Sequence, residues 1–428
     1  MVSPIPTPLS NSADYKTTVI VIPTRNRSGI ARAAIDSVLQ QPSGAFRVLV
    51  SDNSTDEGQR TDLADYCKKL HDSRLAYVRP PSSLSMPLHW DWAIHHALQS
   101  YDAGHFLYLT DRMMFKPGTL HEVLDRANAF PDKIISYNHD RIVDDQQPIR
   151  IEQHAYTGKL LEVKTLKLSY LYSQSIFHHG FPRMLNCIVP RSVLERIQQR
   201  FGSVFSSIAP DFLFCCRALE IEESILYYDR SPIFHYALPQ SHGASVTRGE
   251  MTAANADFTQ NLPIENSNRN YVTPIPQLIT AANAIFNEYL AFKEQTNSDR
   301  FFDVDLQKYL NVNAEEISQV VDPSLKRQMM SLLDAQGFKP MLNGLPKEIP
   351  ILRRMGLGLR SALTANWTKG GWVFMSKHFK ITPPGNNGFE FENTAEAIEY
   401  LVRFPRAKSS AMPWQQQILE AREVEFDS

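Results

Sequence analysis

Thr17 to Gly58 reads TTVIVIPTRNRSGIARAAIDSVLQQPSGAFRVLVSDNSTDEG. Val19 to Ile22 is wholly apolar and β-branched, and Pro23-Thr24-Arg25-Asn26 ends it, so a buried strand stops at a polar turn. Ser28 is placed to cap a helix whose apolar positions Ile30, Ala34, Ile35, Val38 and Leu39 share one face. Phe46 to Val50 returns as a second buried strand and runs into an acidic turn at Asp52. Such a unit sets two strand ends side by side. In open α/β sheets that edge is where a ligand binds.

Reading outward, Asp62 to Leu70 predicts a short helix and Leu75 to Val78 a third strand. Pro87 to Ser100 predicts a helix with Trp90, Ile94, Ala97 and Leu98 on its apolar side, and Phe106 to Leu109 a strand broken by Thr110-Asp111-Arg112. The alternation predicts an α/β fold, Rossmann-like, with a mostly parallel sheet covered by helices on both faces. Strand character follows at Lys133 to Val143, Ile225 to Tyr228 and Ile233 to Tyr236, and helix character at Thr165 to Ser175, Ser192 to Phe201 and Pro210 to Leu219. Past Ser241-His242-Gly243 the chain becomes polar and helix-prone, with Pro274 to Lys293 the clearest helix. We expect a leader over 1–16, an α/β domain over 17–249 and a mainly helical C-terminal domain or extension over 250–428.

The 428 residues exceed one ordinary core, which supports two domains. Apolar content of 43% with 21% charged residues describes a soluble globular chain, and a net charge of −2 gives no argument for a nucleic-acid partner, so none is expected. The first residues, MVSPIPTPLSNSADYK, lack the basic and apolar regions of a signal peptide, and no apolar run reaches the length of a membrane span. Cys67, Cys187, Cys215 and Cys216 show no CxxC spacing. The adjacent pair is expected to be buried thiols, and the cytoplasm is the expected compartment.

Val19 to Arg27, Ala34 to Val38 and Ser51-Asp52-Asn53-Ser54-Thr55-Asp56 together resemble the N-terminal half of family 2 glycosyltransferases, which have the GT-A fold. The resemblance spans roughly residues 17–245. It implies that Pro23, Thr24 and Asn26 shape a nucleotide base pocket, that Arg27 flanks it, and that Asp52 accepts a hydrogen bond from the base. A carboxylate suits the imide N–H of uracil. Asp52 read locally is equally an Asx turn after a strand.

Where the family carries an Asp-x-Asp whose carboxylates hold a divalent cation (Mn²⁺ or Mg²⁺) against the donor diphosphate, this chain has Thr110-Asp111-Arg112, counted back from Pro117. Three readings are open. Asp111 holds a metal by itself; or Arg112 takes the metal's place, since a guanidinium binds phosphate oxygens bidentately; or catalysis is lost. Ser207 to Phe214 sets Asp211 at a helix start, where the resemblance implies a base that takes the acceptor's hydroxyl proton. An acid there also suits the helix dipole.

Arg183 and His242 are further candidates for the diphosphate, His242 lying in a segment that resembles a loop closing over the donor. Trp92 is a candidate for stacking on a sugar or base, and His89, Asp91, His95 and His96 are a weaker metal pattern. The C-terminal helices are expected to cover the acceptor cleft or to build a homo-oligomer interface. The basic stretch Ile351 to Leu363, with Arg353, Arg354 and Arg360, suits packing against the catalytic domain or, as the alternative, peripheral contact with an anionic membrane. The resemblance implies an inverting, hexosyltransferase-like enzyme moving a sugar from a UDP-sugar to a glycan or lipid-linked acceptor in polysaccharide synthesis. A non-catalytic nucleotide-sugar-binding protein is the rival. A nucleotidyltransferase should begin with a Gly-rich phosphate loop, and the first turn here has Gly29 alone.

Overall fold

The structure, a computed structural model, describes residues 17–42, 44–153, 156–178, 180–249, 271–338, 386–404, 419 and 421–425. β1 (Thr18–Thr24), α1 (Ser28–Leu39) and β2 (Phe46–Asp52) form the expected opening unit. Ser28, however, does not cap α1. Arg27 holds the cap position without a side-chain bond, and Ser28 donates from N and Oγ to Gln59 Oε1 at 2.9 and 2.8 Å. Gln59 belongs to α2 (Glu57–Lys69), which starts earlier than expected because Asp56 caps it, its Oδ1 accepting the Gln59 N–H at 2.8 Å.

There follow β3 (Leu75–Val78), α3 (Met86–Ser100), β4 (His105–Tyr108), β5 (Met113–Phe115), α4 (Leu120–Ala129), β6 (Ile135–Val143), β7 (Ile149–Glu152), β8 (Leu160–Lys164) and α5 (Thr165–Ser173). Next come β9 (Cys187–Pro190), α6 (Arg191–Phe201), α7 (Pro210–Ile221), β10 (Ser224–His235) and α8 (His242–Arg248). The two strands expected near Ile225 and Ile233 are one, β10, with a register shift between Tyr228 and Ile233. The C-terminal region holds α9 (Ala281–Thr296), α10 (Leu306–Ile317), α11 (Pro323–Ala335), β11 (Asn386–Phe391), α12 (Thr394–Arg403) and β12 (Arg422–Val424). α9 begins at Ala281 rather than Pro274. Asn283 Nδ2 donates to the Ile275 and Leu278 carbonyls at 3.0 and 2.8 Å, which folds the preceding segment back on the helix, and Thr280 caps it.

The sheet runs β12-β8-β10-β6-β9-β4-β1-β2-β3. β3, β2, β1 and β4 are parallel neighbours; β9 enters antiparallel between β4 and β6, and β10 pairs parallel with β6. Hence β3, β2, β1, β4, β6 and β10 point one way, in the mostly parallel GT-A arrangement expected. On β1, Val19 and Val21 join the layer that includes α3, α6 and α7, whereas Ile20 and Ile22 join the layer of α1 and α4. All four are fully buried. A strand covered on both faces has no polar alternation, which is why the segment reads as continuous Val and Ile. Each such side chain contributes roughly 1.5–3 kcal/mol by burial.

Phe286, Tyr289 and Phe292 of α9, Tyr309 of α10 and Leu333 of α11 lie in the same apolar cluster as α3 and α7. The C-terminal region is therefore packed directly on the sheet's helical layer. Its β11 and β12 add to β7 and β8 at the sheet margin.

Candidate active site

The parallel register of β1 and β2 sets Pro23 beside Ser51 and Thr24 beside Asp52, so both expected turns leave the sheet at one edge. Asn26 joins them. Its φ of 53° is a left-handed conformation that Asn tolerates. Its N–H donates to Ser54 Oγ at 2.8 Å, while its Oδ1 accepts the N–H groups of Thr55 and Asp56, each at 2.9 Å. Asn26 is thus a clasp between the turns. Arg25, which the sequence reading passed over, donates to Ser83 Oγ and the Leu84 carbonyl at 2.9 and 3.1 Å and fixes the next loop.

Asp52 is fully buried. Its Oδ1 accepts from Ser54 N and Oγ at 2.8 and 2.5 Å, and its Oδ2 accepts the Tyr77 hydroxyl at 2.7 Å. The carboxylate braces its own turn through both oxygens. Tyr77 carries no sequence signal for this role; only the pairing of β3 with β2 brings it there.

Asp111, also buried, sits in the turn between β4 and β5. Its Oδ2 accepts the Thr24 hydroxyl at 2.9 Å and its Oδ1 faces Arg27 Nη1 at 3.4 Å. Arg27 Nη2 also holds the Gln240 carbonyl at 2.8 Å, tying the nucleotide turn to the segment before α8. Next to it, Arg112 Nη1 is enclosed and has no hydrogen-bond partner. Burial pulls the Arg112 pKa down, and Asp111 opposes that shift. His235 is brought alongside because β10 pairs with β5, His235 opposite Met113. The His235 ring lies 4.1 Å from that of His139, centre to centre, and its Nε2 is likewise enclosed without a partner. Burial, then Arg112 and Arg183, hold His235 far below its ordinary pKa, so the imidazole is neutral. The enclosed, partnerless guanidinium nitrogen of Arg112 suits a ligand with acceptor oxygens.

Asp211 stands in the first turn of α7, partly exposed. Burial of its carboxyl raises the pKa, with Arg183 and the N–H groups of Asp211 and Phe212 acting the other way. Arg183 lies over the Phe212 ring, 5.3 Å from its centre, and its backbone N–H donates to Asn186 Oδ1 at 3.0 Å. The charge of Arg183 therefore acts on both Asp211 and His235. The structure brings together the expected Arg183 and Asp211, and places Arg112 beside His235, a residue with no local sequence signal for the site.

Other expectations fare differently. Trp92 stacks on His96 of its own helix, with centres 5.1 Å apart. His89 bonds Ser51 Oγ, Asp91 accepts from Val204 and Phe205, and His95 lies between Gln99 and Gln198, so these side chains point apart. Among the described residues no three His, Cys, Asp or Glu side chains converge as metal ligands. The segment expected as a flexible loop is α8, and the side chain of His242 within it lies outside the described residues, as do residues 1–16 and Ile351 to Leu363. All four cysteines are buried and free, as expected for Cys215 and Cys216. No helix among the described residues is long and apolar enough to cross a membrane.

Solved structures of S. aureus TarS resemble the chain. The TarS structure aligns with TM-score 0.40 and 15% identity over 75% of this chain, which spans 54% of that one. TarS 1-349 aligns with TM-score 0.42 and 14% identity, and the same fragment in complex with UDP-GlcNAc with 0.42 and 13%, each covering 78% of this chain and 98% of that one. No curated protein matches the chain. The family model described as "Glycosyl transferase family 2" matches residues 19–195, so this part of the chain is similar to that family.

Proposed function

We propose that the protein is an inverting glycosyltransferase that moves a sugar from a UDP-sugar to a hydroxyl acceptor in glycan or polysaccharide synthesis. Asp211 is the base. It takes the acceptor's hydroxyl proton as that oxygen attacks the anomeric carbon, and the bond from that carbon to the diphosphate oxygen breaks. The leaving nucleoside diphosphate carries away the electron pair, and Arg112 faces the charge that builds on it. One observation supports this reading most: next to Asp111, Arg112 holds an enclosed guanidinium nitrogen that has no hydrogen-bond partner.

For the diphosphate we prefer Arg112 to a divalent cation. Asp111 already accepts from Thr24 and Arg27, and the two positions where the family's acids are expected carry Thr110 and Arg112 instead. Such a donor set does not fit a hard cation, which wants several free oxygens. The test is a panel of nucleotide-sugars assayed for transfer and hydrolysis with wild type and Asp211→Asn. Loss of turnover with retained UDP binding is expected. Turnover that survives the substitution removes Asp211 from the mechanism, and binding of donors with no turnover by wild type selects the non-catalytic reading.

A further inference from the structure

Glu288 lies in α9, outside the segment that matches the family and far along the chain from every residue assigned above. It is 3% exposed, yet its two oxygens reach the turn that leads into α7. One accepts the Ser207 hydroxyl, and the other the Ala209 N–H at 3.2 Å. Ala209 is the cap position of α7 and supplies no side-chain oxygen of its own, so Glu288 serves a helix start that lacks a local cap.

Other groups pin the same chain a little earlier. Asp91 Oδ1 accepts from Val204 and Phe205 N–H at 2.6 and 2.9 Å, and Arg217 donates to the Ser203 carbonyl and Ser206 Oγ at 2.7 and 3.0 Å. Their grip ends at Ser206. From Ser207 to Ala209, two residues short of Asp211, the side chain of Glu288 anchors the chain.

We propose that Glu288 is the positioning residue for Asp211, fixing the Ser207–Ala209 turn from which α7 presents that carboxylate to the cleft. This rests on the base role of Asp211. Glu288 also communicates by charge. Burial pushes its pKa up to about 7, Asp211 adds to that rise, and Arg217, Ser207 and Ala209 oppose it. The other titratable groups that face it are Cys216 of α7, Tyr172 of α5 and Tyr271. Near neutral pH, Glu288 therefore exchanges a proton. Its ionised form accepts both bonds.

The experiment compares the full-length wild type, Glu288→Gln, Ser207→Ala and Asp211→Asn, using UDP for binding and the donor that the panel selects for kinetics. Glu288→Gln keeps the side chain's shape and one acceptor but cannot titrate. It is expected to bind UDP as wild type does, to lose about tenfold in kcat with KM for the donor little changed, and to lose the limb of the pH–rate profile near 7. Ser207→Ala loosens the same turn from its other side and should lower kcat by a smaller factor while keeping that limb. If Glu288→Gln does not fold, Ser207→Ala alone carries the positioning claim. Wild-type kcat and pH profile in Glu288→Gln, beside an inactive Asp211→Asn, overturn this inference alone. Turnover retained by Asp211→Asn overturns the base role and the inference with it.

Discussion

Thr24 donates a hydrogen bond from its hydroxyl to Oδ2 of Asp111 at 2.9 Å, closing the end of β1 onto the turn after β4. Arg27 faces the other carboxylate oxygen. Asp111 is thus matched by protein donors at the place where a cation would need it. We expect calorimetric titration of UDP to give the same affinity in Mn²⁺ and in EDTA. Arg112→Ala should weaken binding by about 1.5–3 kcal/mol, the scale of a hydrogen bond to a charged group. A Mn²⁺-dependent affinity that Asp111→Asn abolishes would restore the metal reading.

Asn26 joins backbone conformation to hydrogen bonding, and two substitutions separate them. Asn26→Gly keeps the φ of 53° accessible but removes the side-chain bonds to Thr55 and Asp56. Asn26→Ala removes the same bonds and adds a left-handed penalty of roughly 1–2 kcal/mol. Both should weaken UDP binding, because the two turns lose their clasp. Ala should unfold at the lower denaturant concentration. Equal stability of the two variants would show that the turn relaxes out of the left-handed region.

These contrasts mark what the sequence could and could not disclose. The segment from Val19 to Ile22 is legible because a strand buried on both faces must be apolar throughout, and the polar turn after it stops the strand in the same few residues. The position of Asp211 was legible for a similar reason, being a local helix start. Tyr77 on Asp52, His235 beside Arg112 and Glu288 under Ser207 were not, because each arises where strands or helices distant in sequence are packed together. Ser28 shows the same limit on a smaller scale: a good local cap residue is claimed by Gln59 of the next helix.

Glu288 should also be visible in stability. Its folded-state pKa is about 7 against an ordinary 4.5, so between those values the folded protein binds more protons than the unfolded chain. Stability from this group is present in full below 4.5 and is lost as pH rises through 7, a total of about 3 kcal/mol. Glu288→Gln lacks this dependence. Its melting temperature relative to wild type should therefore rise from about pH 5 to about pH 8. A difference constant over that range would mean that Glu288 keeps an ordinary pKa in the fold.

Lys116 and Asp140 form an ion pair with side chains 1% and 0% exposed, joining the chain after β5 to β6. Burial lowers the Lys116 pKa and Asp140 opposes that shift, while the Tyr156 hydroxyl donates to the remaining carboxylate oxygen at 3.2 Å. Removing the cation alone leaves a buried carboxylate uncompensated. Lys116→Met should therefore cost about 3–5 kcal/mol in chemical denaturation at neutral pH. Adding Asp140→Leu should recover much of the loss, since a desolvated pair contributes little beyond an apolar replacement of similar volume. If the double variant were no more stable than Lys116→Met, the cost would lie in lost packing of the lysine stem rather than in the stranded charge.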